Sequence, residues 1–147
     1  MEIQTIDAGQ THALRHRVLR PMMALADMDY PSDHTDGCVH FGAIDQGQVV
    51  GIVTLTVEPS PLDVGGAALP HLRLRGMAVA PEVAGTGVGR TLVERTQTYA
   101  REIKAGAIWC NARESALDFY RKCDFDIRGD RFEIEHIGPH FVMFWKA

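Results

Sequence analysis

The stretch "PEVAGTGVGRTLV", residues 81–93, decides the fold class of this chain. Three glycines, Gly85, Gly87 and Gly89, stand at alternate positions, and an apolar, helix-like pattern comes directly after them. Glycines at the start of a helix let backbone N–H groups approach an anion without side chains in the way, and the helix dipole adds to the attraction. The stretch therefore predicts a phosphate-binding loop at the N-terminus of a helix.

Two nucleotide-binding loops with similar glycines fit this stretch poorly. A Rossmann loop, G-x-G-x-x-G, would have Arg90 at its third glycine position. A P-loop, G-x-x-x-x-G-K-[ST], would have Ala84 for its first glycine and Arg90 for its lysine, and the strand "AIWCN" (107–111) offers no metal-binding carboxylate. A nucleotide-binding P-loop protein is therefore a weak alternative for this chain.

The flanking segments predict a mixed α/β chain. Strands are predicted at 2–7, on both sides of "DQGQ" within 40–59, at 71–80, 107–111, 125–135 and 140–146, and helices at 12–20, after the glycines and at 114–122. The first helix is predicted to bury Leu14, Val18 and Leu19. Gly76 interrupts its strand and indicates either a bulge or a place where another group approaches the backbone closely, and Gly106 is predicted to cap the helix that begins after the glycines. One sheet with helices on its faces accounts for this order.

Length and composition favour a single domain, residues 1–147, because 147 residues with 46% apolar and 23% charged side chains suffice for one core. A net charge of −4 indicates no general affinity for nucleic acid or anionic membranes. No apolar run is long enough to span a bilayer, and "MEIQTIDAGQ" is not a signal peptide. Three cysteines form no disulfide framework, so we expect a reducing, cytoplasmic location.

Two motifs carry a resemblance to a known family. The stretch "MAVAPEVAGTGVGRTLVE" (77–94) closely resembles the acyl-CoA loop of the GNAT acetyltransferase superfamily, [Q/R]-x-x-G-x-[G/A], although Ala84 stands in place of the arginine or glutamine. The stretch "WCNARESALDFYRKCDF" (109–125) is similar to the family motif F-Y-x-[KR]-x-G-F, with Asp124 in place of the glycine. Aspartate enters left-handed conformations more readily than most residues, so this change is tolerable. The stretch "FEIEHIGPHFVM" (132–143) resembles a poorly characterised bacterial subgroup.

The resemblance implies the GNAT fold, a mixed central sheet of about six to seven strands flanked by about four helices. It also implies acetyl-CoA as the cofactor, with backbone groups of the bulged strand meeting the pantetheine arm and the glycine loop meeting the pyrophosphate. The residues that it assigns to cofactor binding are Met77, Ala78, Val79, Ala84, Gly85, Thr86, Gly87, Val88, Gly89, Arg90, Asn111, Phe119 and Tyr120.

The catalytic residues follow from the same resemblance and from side-chain chemistry. The resemblance assigns Tyr120 as the acid, because a phenol with an ordinary pKa near 10 protonates a thiolate that leaves beside it. His71 and His140 are the candidate bases, since imidazole titrates near neutrality. The histidines and cysteine of "HTDGCVH" (34–40) fit no standard zinc spacing, so we expect no metal site.

The sequence suggests two alternative binding sites for the acceptor. Arg73 and Arg75 would suit an acceptor that bears a carboxylate or phosphate. Alternatively, the acidic loop from Asp27 to Asp36, with Tyr30 and Asp33, would receive an amine, because the family often places its acceptor there.

These expectations combine into one function. The chain is expected to transfer an acetyl group from acetyl-CoA to a primary amine of a small molecule or protein, by direct attack in a ternary complex, because no cysteine or serine lies in a nucleophile motif. The alternative is a non-catalytic acyl-CoA-binding module. A homodimer is possible through the terminal strand "HFVMFWK" (140–146), whose Phe144 and Trp145 would suit a sheet edge.

Overall fold

The computed structural model describes all residues, 1–147, and contains one seven-stranded sheet of order β1-β2-β3-β4-β5-β7-β6. The strands are β1 (Glu2–Ile6), β2 (Val39–Asp45), β3 (Gln48–Val57), β4 (His71–Val79), β5 (Ala107–Arg113), β6 (Asp126–Ile134) and β7 (Gly138–Lys146). β4 pairs in parallel with β5, whereas the pairs β1–β2, β2–β3, β5–β7 and β6–β7 are antiparallel. The predicted mixed sheet is confirmed.

Three α-helices accompany the sheet, slightly fewer than the four expected. They are α1 (His12–Leu14), which continues as a π-helix (Arg15–Leu19), α2 (Val88–Glu102) and α3 (Leu117–Lys122). Short 3₁₀ turns occupy Ala8–Thr11, Leu25–Met28, Pro31–His34, Pro81–Val83 and Glu114–Ala116. No helix is long and apolar enough to cross a membrane.

The π-helix changes which side chains the first helical segment buries. The Arg20 N–H bonds the Arg15 carbonyl five residues back, at 3.0 Å, so this turn holds more residues than an α-helical turn. Leu14 is buried as predicted, but Val18 and Leu19 are only half-buried. Arg15 is fully buried instead. The predicted apolar face was wrong beyond Leu14, because it assumed α-helical spacing throughout.

The contacts of the chain divide it into two compact units. The first unit comprises Met1–Thr56 and Leu74–Thr96, and the second comprises Val57–Arg73 and Gln97–Ala147. Fully buried apolar side chains fill each unit: Phe41, Ile52, Val53, Leu55, Leu92 and Val93 in the first, and Leu72, Ile108, Phe125 and Met143 in the second.

In the first unit, α2 lies directly on β3. A Cβ placed on Gly51 would come within 2.8 Å of Leu92 and 2.9 Å of Val88. Only a glycine lets the helix approach the strand this closely, since real Cβ contacts are longer. This close packing fixes the first turn of α2, and therefore the end of the glycine loop, against the sheet.

In the second unit, Gly106 has a different role from the predicted helix cap. Lys104 takes the left-handed conformation, with φ of 61°, and the Ala105 N–H bonds the Ala100 carbonyl at 2.9 Å. Lys104 therefore forms the turn that ends α2, and the prediction of Gly106 as the cap was wrong. A Cβ on Gly106 would overlap the carbonyl oxygen of Ala68, so this position needs glycine for close approach of two backbones.

The last strand of the sequence is not an edge of the sheet. β7 lies between β5 and β6, and Phe144 pairs with Trp109 on one side and Asp126 on the other. The edges are β1 and β6. The expectation that "HFVMFWK" offers a free edge was wrong, because chain order alone does not reveal which of the two closing strands lies outermost.

Candidate functional site

The glycine loop is exposed and takes backbone conformations that require glycine. Gly85 has φ of 78° and Gly87 has φ of 90°. A Cβ at either position would meet nothing within 4 Å. The two glycines are therefore needed for the conformation of the loop and not for packing, and the space beside them is open.

The backbone amides at the end of this loop have no acceptor in the protein. The first intrahelical bond of α2 runs from the Thr91 N–H to the Gly87 carbonyl, at 3.0 Å. The N–H groups of Gly87, Val88, Gly89 and Arg90 precede that bond and remain unsatisfied. They lie at the positive end of a fifteen-residue helix, and this arrangement of N–H groups is one that generally attracts anions.

The side chains on either side of the loop contribute little to such a site. Ala84 is exposed and offers only a methyl group. Arg90 donates from Nε to Glu94 at 3.0 Å, and both side chains are exposed. Since Glu94 offsets the charge of Arg90 within the helix, the backbone amides are the main groups of the loop that would attract an anion.

The strand before the loop, β4, runs without a break from His71 to Val79, so the predicted interruption does not appear, and Gly76 instead takes a left-handed conformation within the strand. Gly76 in β4 has φ of 61°, and a Cβ there would lie 3.4 Å from Nε of Arg15. The next three residues alternate in burial, with Ala78 buried and Met77 and Val79 half-buried. β4 ends where the Ala80 N–H bonds the Val50 carbonyl at 2.8 Å.

In the first unit, Asp33 is held by a bidentate pair. Its two carboxylate oxygens accept from Nη1 and Nη2 of Arg15 at 2.7 and 2.8 Å, and Oδ2 also accepts from the Tyr30 N–H at 2.9 Å. Burial by itself would raise the pKa of Asp33, but Arg15 and the Tyr30 N–H together hold that pKa below its ordinary value. Asp33 is therefore an ionised, fully engaged carboxylate.

The two arginines predicted for an acidic acceptor have different partners and lie in different units. Arg75, in the first unit, donates to the Ser32 hydroxyl at 2.7 Å. Arg73, in the second unit, forms an ion pair with Glu58 at 3.2 Å, and its guanidinium lies 5.0 Å from the Trp109 ring. Glu58 thus offsets the charge of Arg73.

The two candidate bases, both in the second unit, differ in their free nitrogens. Nδ1 of His71 accepts from the Ser60 N–H at 3.1 Å, and Nε2 therefore donates to the Ala67 carbonyl at 3.0 Å. Nδ1 of His140 donates to the Gly138 carbonyl at 2.7 Å, which leaves the Nε2 lone pair without a partner. Of these two residues, only His140 has a ring nitrogen without a hydrogen-bond partner.

Tyr120, also in the second unit, combines a packed ring with an unengaged hydroxyl. The ring centre lies 5.1 Å from that of Phe119 and 5.5 Å from that of Phe125. No protein group hydrogen-bonds the hydroxyl. Burial, with smaller contributions from Cys110 and Cys123, raises the pKa of Tyr120 well above its ordinary value. The phenol therefore keeps its proton at neutral and moderately alkaline pH.

The remaining polar groups considered for the site are the Asn111 side chain and the cysteine thiols. Asn111 is half-buried on β5, and its side chain makes no hydrogen bond within the protein. All three cysteines are free. Burial raises the pKa of Cys110 to about 12 and also raises the pKa of Cys38. These two thiols therefore stay protonated at neutral pH and are poor nucleophiles.

Three side chains lie close enough to hold a metal. The ligand atoms of Asp33, Cys38 and His40 lie within 4.8 Å of one another. Nε2 of His40 is 3.7 Å from the Cys38 sulfur and 3.9 Å from Oδ1 of Asp33. However, the Arg15 guanidinium already occupies both Asp33 oxygens and places a positive charge beside them. The sequence-based expectation of no metal site stays a prediction.

The sequence patterns missed a buried polar network around Arg15. Arg15 also donates to the Met28 carbonyl at 2.9 Å and to the Thr54 hydroxyl at 3.0 Å. Nδ1 of His40 lies 2.7 Å from the same hydroxyl, and burial lowers the pKa of His40. No signal in "HALRHRVLR" separates Arg15 from its exposed neighbour Arg17, because only the tertiary fold buries one of them.

Comparison with known proteins gives consistent matches. A model of the acetyltransferase (GNAT) family matches residues 7–125. An uncharacterized N-acetyltransferase, YitI of Bacillus subtilis (strain 168), is 33% identical over 98% of this chain and 95% of its own length. The peptidyl-lysine N-acetyltransferase YjaB of Escherichia coli (strain K12) is 35% identical over 54% of this chain and 52% of its own length.

The fold is also that of a solved structure. An aminoglycoside 6'-N-acetyltransferase complexed with coenzyme A superposes with a TM-score of 0.74 at 15% identity, over 99% of this chain and 97% of that one. At this identity the match establishes the shared fold alone.

Proposed function

The chain belongs to the GNAT acetyltransferase family and is an acyltransferase, and on that premise we propose that it transfers an acetyl group from acetyl-CoA to a primary amine. The observation that carries the proposal is the row of unsatisfied amides from Gly87 to Arg90, beside glycines that leave open space. The family model includes residues of both units, which supports the proposal that residues 1–147 act as one domain.

We propose that the glycine loop binds the pyrophosphate of acetyl-CoA through its backbone. The unsatisfied amides of Gly87 to Arg90 donate, and Gly85 and Thr86 lie within the same turn. Ala84 adds no side-chain contact, so affinity rests on the amides and the helix dipole. Met77, Ala78 and Val79 are assigned to the pantetheine arm, and Asn111 and Phe119 to the remaining cofactor contacts. The coenzyme A complex of the structural neighbour supports this choice of cofactor.

We propose Tyr120 as the proton donor to the coenzyme A thiolate. Attack by the amine forms the new C–N bond and breaks the C–S bond, and the sulfur then takes a proton. The raised pKa keeps the phenol protonated, and its hydroxyl has no competing partner in the protein. Direct attack is supported by Cys110 and Cys38, whose raised pKa values make acyl-cysteine formation unfavourable.

Of the two candidate bases, we propose His140. Its Nε2 lone pair is available, whereas both nitrogens of His71 are engaged. The acceptor is proposed to be a small-molecule amine or a protein amine bound by Tyr30 and Arg75, with Arg73 as a further contact. Asp33, whose side chain is fully buried in its pair with Arg15, supports this site without touching the acceptor. We also propose a cytoplasmic location, which the free thiols support, no nucleic-acid or membrane partner, and a possible homodimer.

Calorimetric titration tests the cofactor proposal. Wild-type protein should bind acetyl-CoA and should not bind Mg²⁺-ATP. Gly87→Val should abolish binding, because a valine side chain both strains a φ of 90° and fills the space beside the amides. Gly47→Val is the matched control, since Gly47 has φ of 76° and equally open surroundings in the β2–β3 turn.

Three outcomes would contradict the proposal. Binding of ATP alone would favour a nucleotide-binding protein. Equal acetyl-CoA affinity in wild type and Gly87→Val would remove the loop as the binding site. Binding of acetyl-CoA without acetylation of any amine in a panel of a lysine peptide, an N-terminal peptide amine, a free amino acid and an aminoglycoside would favour a non-catalytic acyl-CoA-binding module.

A further inference from the structure

The segment 20–38, between the π-helix and β2, is attached to the rest of the first unit at only two buried positions. Met28 is 0% exposed and Asp33 is 8% exposed, while every other residue of the segment is exposed or half-buried. A connection of this length with so little burial usually serves a function, and it needs specific contacts to keep one conformation.

Arg15 bonds both of those buried positions. Nη1 donates to the Met28 carbonyl at 2.9 Å and to Oδ2 of Asp33 at 2.7 Å, and Nη2 donates to Oδ1 of Asp33 at 2.8 Å. One fully buried side chain thus makes the polar contacts of both anchoring points. Charge-assisted, bidentate bonds of this kind are stronger and more directional than neutral ones.

The same guanidinium is fixed on its other side by the sheet. Nη2 donates to the Thr54 hydroxyl of β3 at 3.0 Å. Nε lies 3.4 Å from the position that a Cβ of Gly76 would take, so the guanidinium lies against Gly76 of β4, where a side chain would crowd it. Arg15 therefore connects segment 20–38 to two strands, β3 and β4.

Asp33, which Arg15 holds in place, in turn contacts the polar residues around it. Its Oδ2 accepts from the Tyr30 N–H, which closes the 3₁₀ turn Pro31–His34. The Tyr30 ring centre lies 4.5 Å from the Arg15 guanidinium carbon. Ser32, in the same turn, accepts from Arg75 of β4 at 2.7 Å. The positions of Tyr30, Ser32 and Asp33 relative to β4 thus depend on the Arg15–Asp33 pair.

We infer that Arg15 is a positioning residue, which holds segment 20–38 against β3 and Gly76 of β4 in the conformation that binds the acceptor. This inference rests on the proposed function, since it assigns the segment to the acceptor. Arg15 touches no reacting atom and acts through Asp33 and Tyr30. Lysine would not replace it, because a single ammonium group cannot bond both carboxylate oxygens, the Met28 carbonyl and Thr54 together.

The competing explanation is a purely structural ion pair, and an apolar double variant separates the two. Arg15→Met alone leaves the Asp33 carboxylate buried without its partner, and the variant risks unfolding for that reason. Arg15→Met/Asp33→Leu removes both charges, and buried pairs replaced in this way often keep or regain stability. A structural pair predicts that the double variant behaves like wild type in every respect.

The test combines hydrogen exchange with steady-state kinetics. Exchange is followed at the amides of Asp27 and Cys38, which bond the Ala24 and Thr35 carbonyls within the segment, so that no substitution removes their acceptors. The kinetic assays use acetyl-CoA together with one amine from the panel described above, namely the amine that the wild-type protein acetylates fastest. The matched control is Arg17→Met. Arg17 lies two residues after Arg15 and also makes a bidentate pair, but its partner, Glu82, is exposed.

We expect the double variant to keep the wild-type melting temperature, to exchange these amides about tenfold faster or more, and to raise the acceptor KM about tenfold or more, with the Kd for acetyl-CoA unchanged. Arg15→Lys should show the same KM effect, and Arg17→Met should match wild type. Exchange at the wild-type rate in the double variant would overturn the inference. Faster exchange with an unchanged acceptor KM would also overturn it.

Failure of the proposed function gives a different result. In that case wild type acetylates no amine, whereas the exchange rates of the double variant still decide whether Arg15 orders the segment. Slow exchange in both wild type and the double variant would then reject the role of Arg15 without reference to activity.

Discussion

Tyr120 illustrates how burial of a single side chain changes its pKa. Its ring packs between Phe119 and Phe125, and this burial raises the pKa of the phenol well above its ordinary value. Because the hydroxyl has no hydrogen-bond partner in the protein, its proton is available to a ligand. A phenol that keeps its proton and has no competing partner is available to protonate the thiolate as the C–S bond breaks.

Replacing Tyr120 with Phe removes that proton and keeps the ring. We expect kcat to fall about 100-fold, with the Kd for acetyl-CoA unchanged, because general-acid catalysis typically contributes that much. The raised pKa also predicts that wild-type kcat shows no loss from ionisation of Tyr120 below about pH 10, since the phenol stays protonated there. Tyr99→Phe is the matched control. A Tyr120→Phe variant with wild-type kcat would exclude Tyr120 as the acid.

At the scale of helices and strands, close backbone approaches set the positions of the elements. Gly51 brings α2 onto β3 in the first unit, and Gly106 brings the start of β5 against the 58–70 loop in the second. The Gly106 N–H bonds the Pro70 carbonyl at 2.9 Å, and its carbonyl accepts from the Ala147 N–H at 3.0 Å. Elements held through backbone contacts leave no room for a side chain, so these positions tolerate substitution poorly.

Gly106→Ala tests this argument in the second unit. The added methyl group overlaps the Ala68 carbonyl, which is backbone and cannot rotate away, so we expect a loss of about 1–3 kcal/mol in the free energy of unfolding. Gly66→Ala is the comparison, because a Cβ there meets nothing within 4 Å and only the φ of 69° costs energy. Urea denaturation of both variants measures the difference. A Gly106→Ala variant as stable as wild type would show that the two backbones separate without cost.

For the whole chain, ligand binding and sheet order bear on stability and assembly. Binding to the native state alone stabilises a protein by mass action, whatever the number of contacts involved.

The sheet edges β1 and β6 are the strands open to pairing with another chain, and β6 is interrupted by a register shift between Arg128 and Phe132. Such irregularities discourage edge-to-edge pairing, so a homodimer that forms by strand addition would use β1.

Acetyl-CoA should therefore raise the melting temperature of the chain. At a concentration of 100 times Kd, the stabilisation is about 2.7 kcal/mol, which corresponds to a rise of about 5–10 °C for a chain of this size. The rise should be absent in Gly87→Val and with Mg²⁺-ATP in place of acetyl-CoA. Differential scanning fluorimetry over a range of ligand concentrations measures it. An equal rise in Gly87→Val would place the cofactor away from the glycine loop.

The sequence by itself determined the features that depend on residues close together in the chain. The order of strands and helices and the β2–β3 hairpin at Gln46 and Gly47 appear in the structure as the patterns predict. Asp124 takes the left-handed conformation, with φ of 68°, that its place in the F-Y-x-[KR]-x-G-F motif requires. These features are set by local backbone preference and periodicity, which a short stretch of sequence contains.

Only the tertiary structure decided which distant groups meet. It buried Arg15 with Asp33 and left Arg17 exposed, engaged both nitrogens of His71 while leaving one free on His140, and placed β7 inside the sheet. Each outcome depends on contacts between residues far apart in the chain. Such contacts follow from the packing of the whole fold, and no local pattern of residue types specifies them.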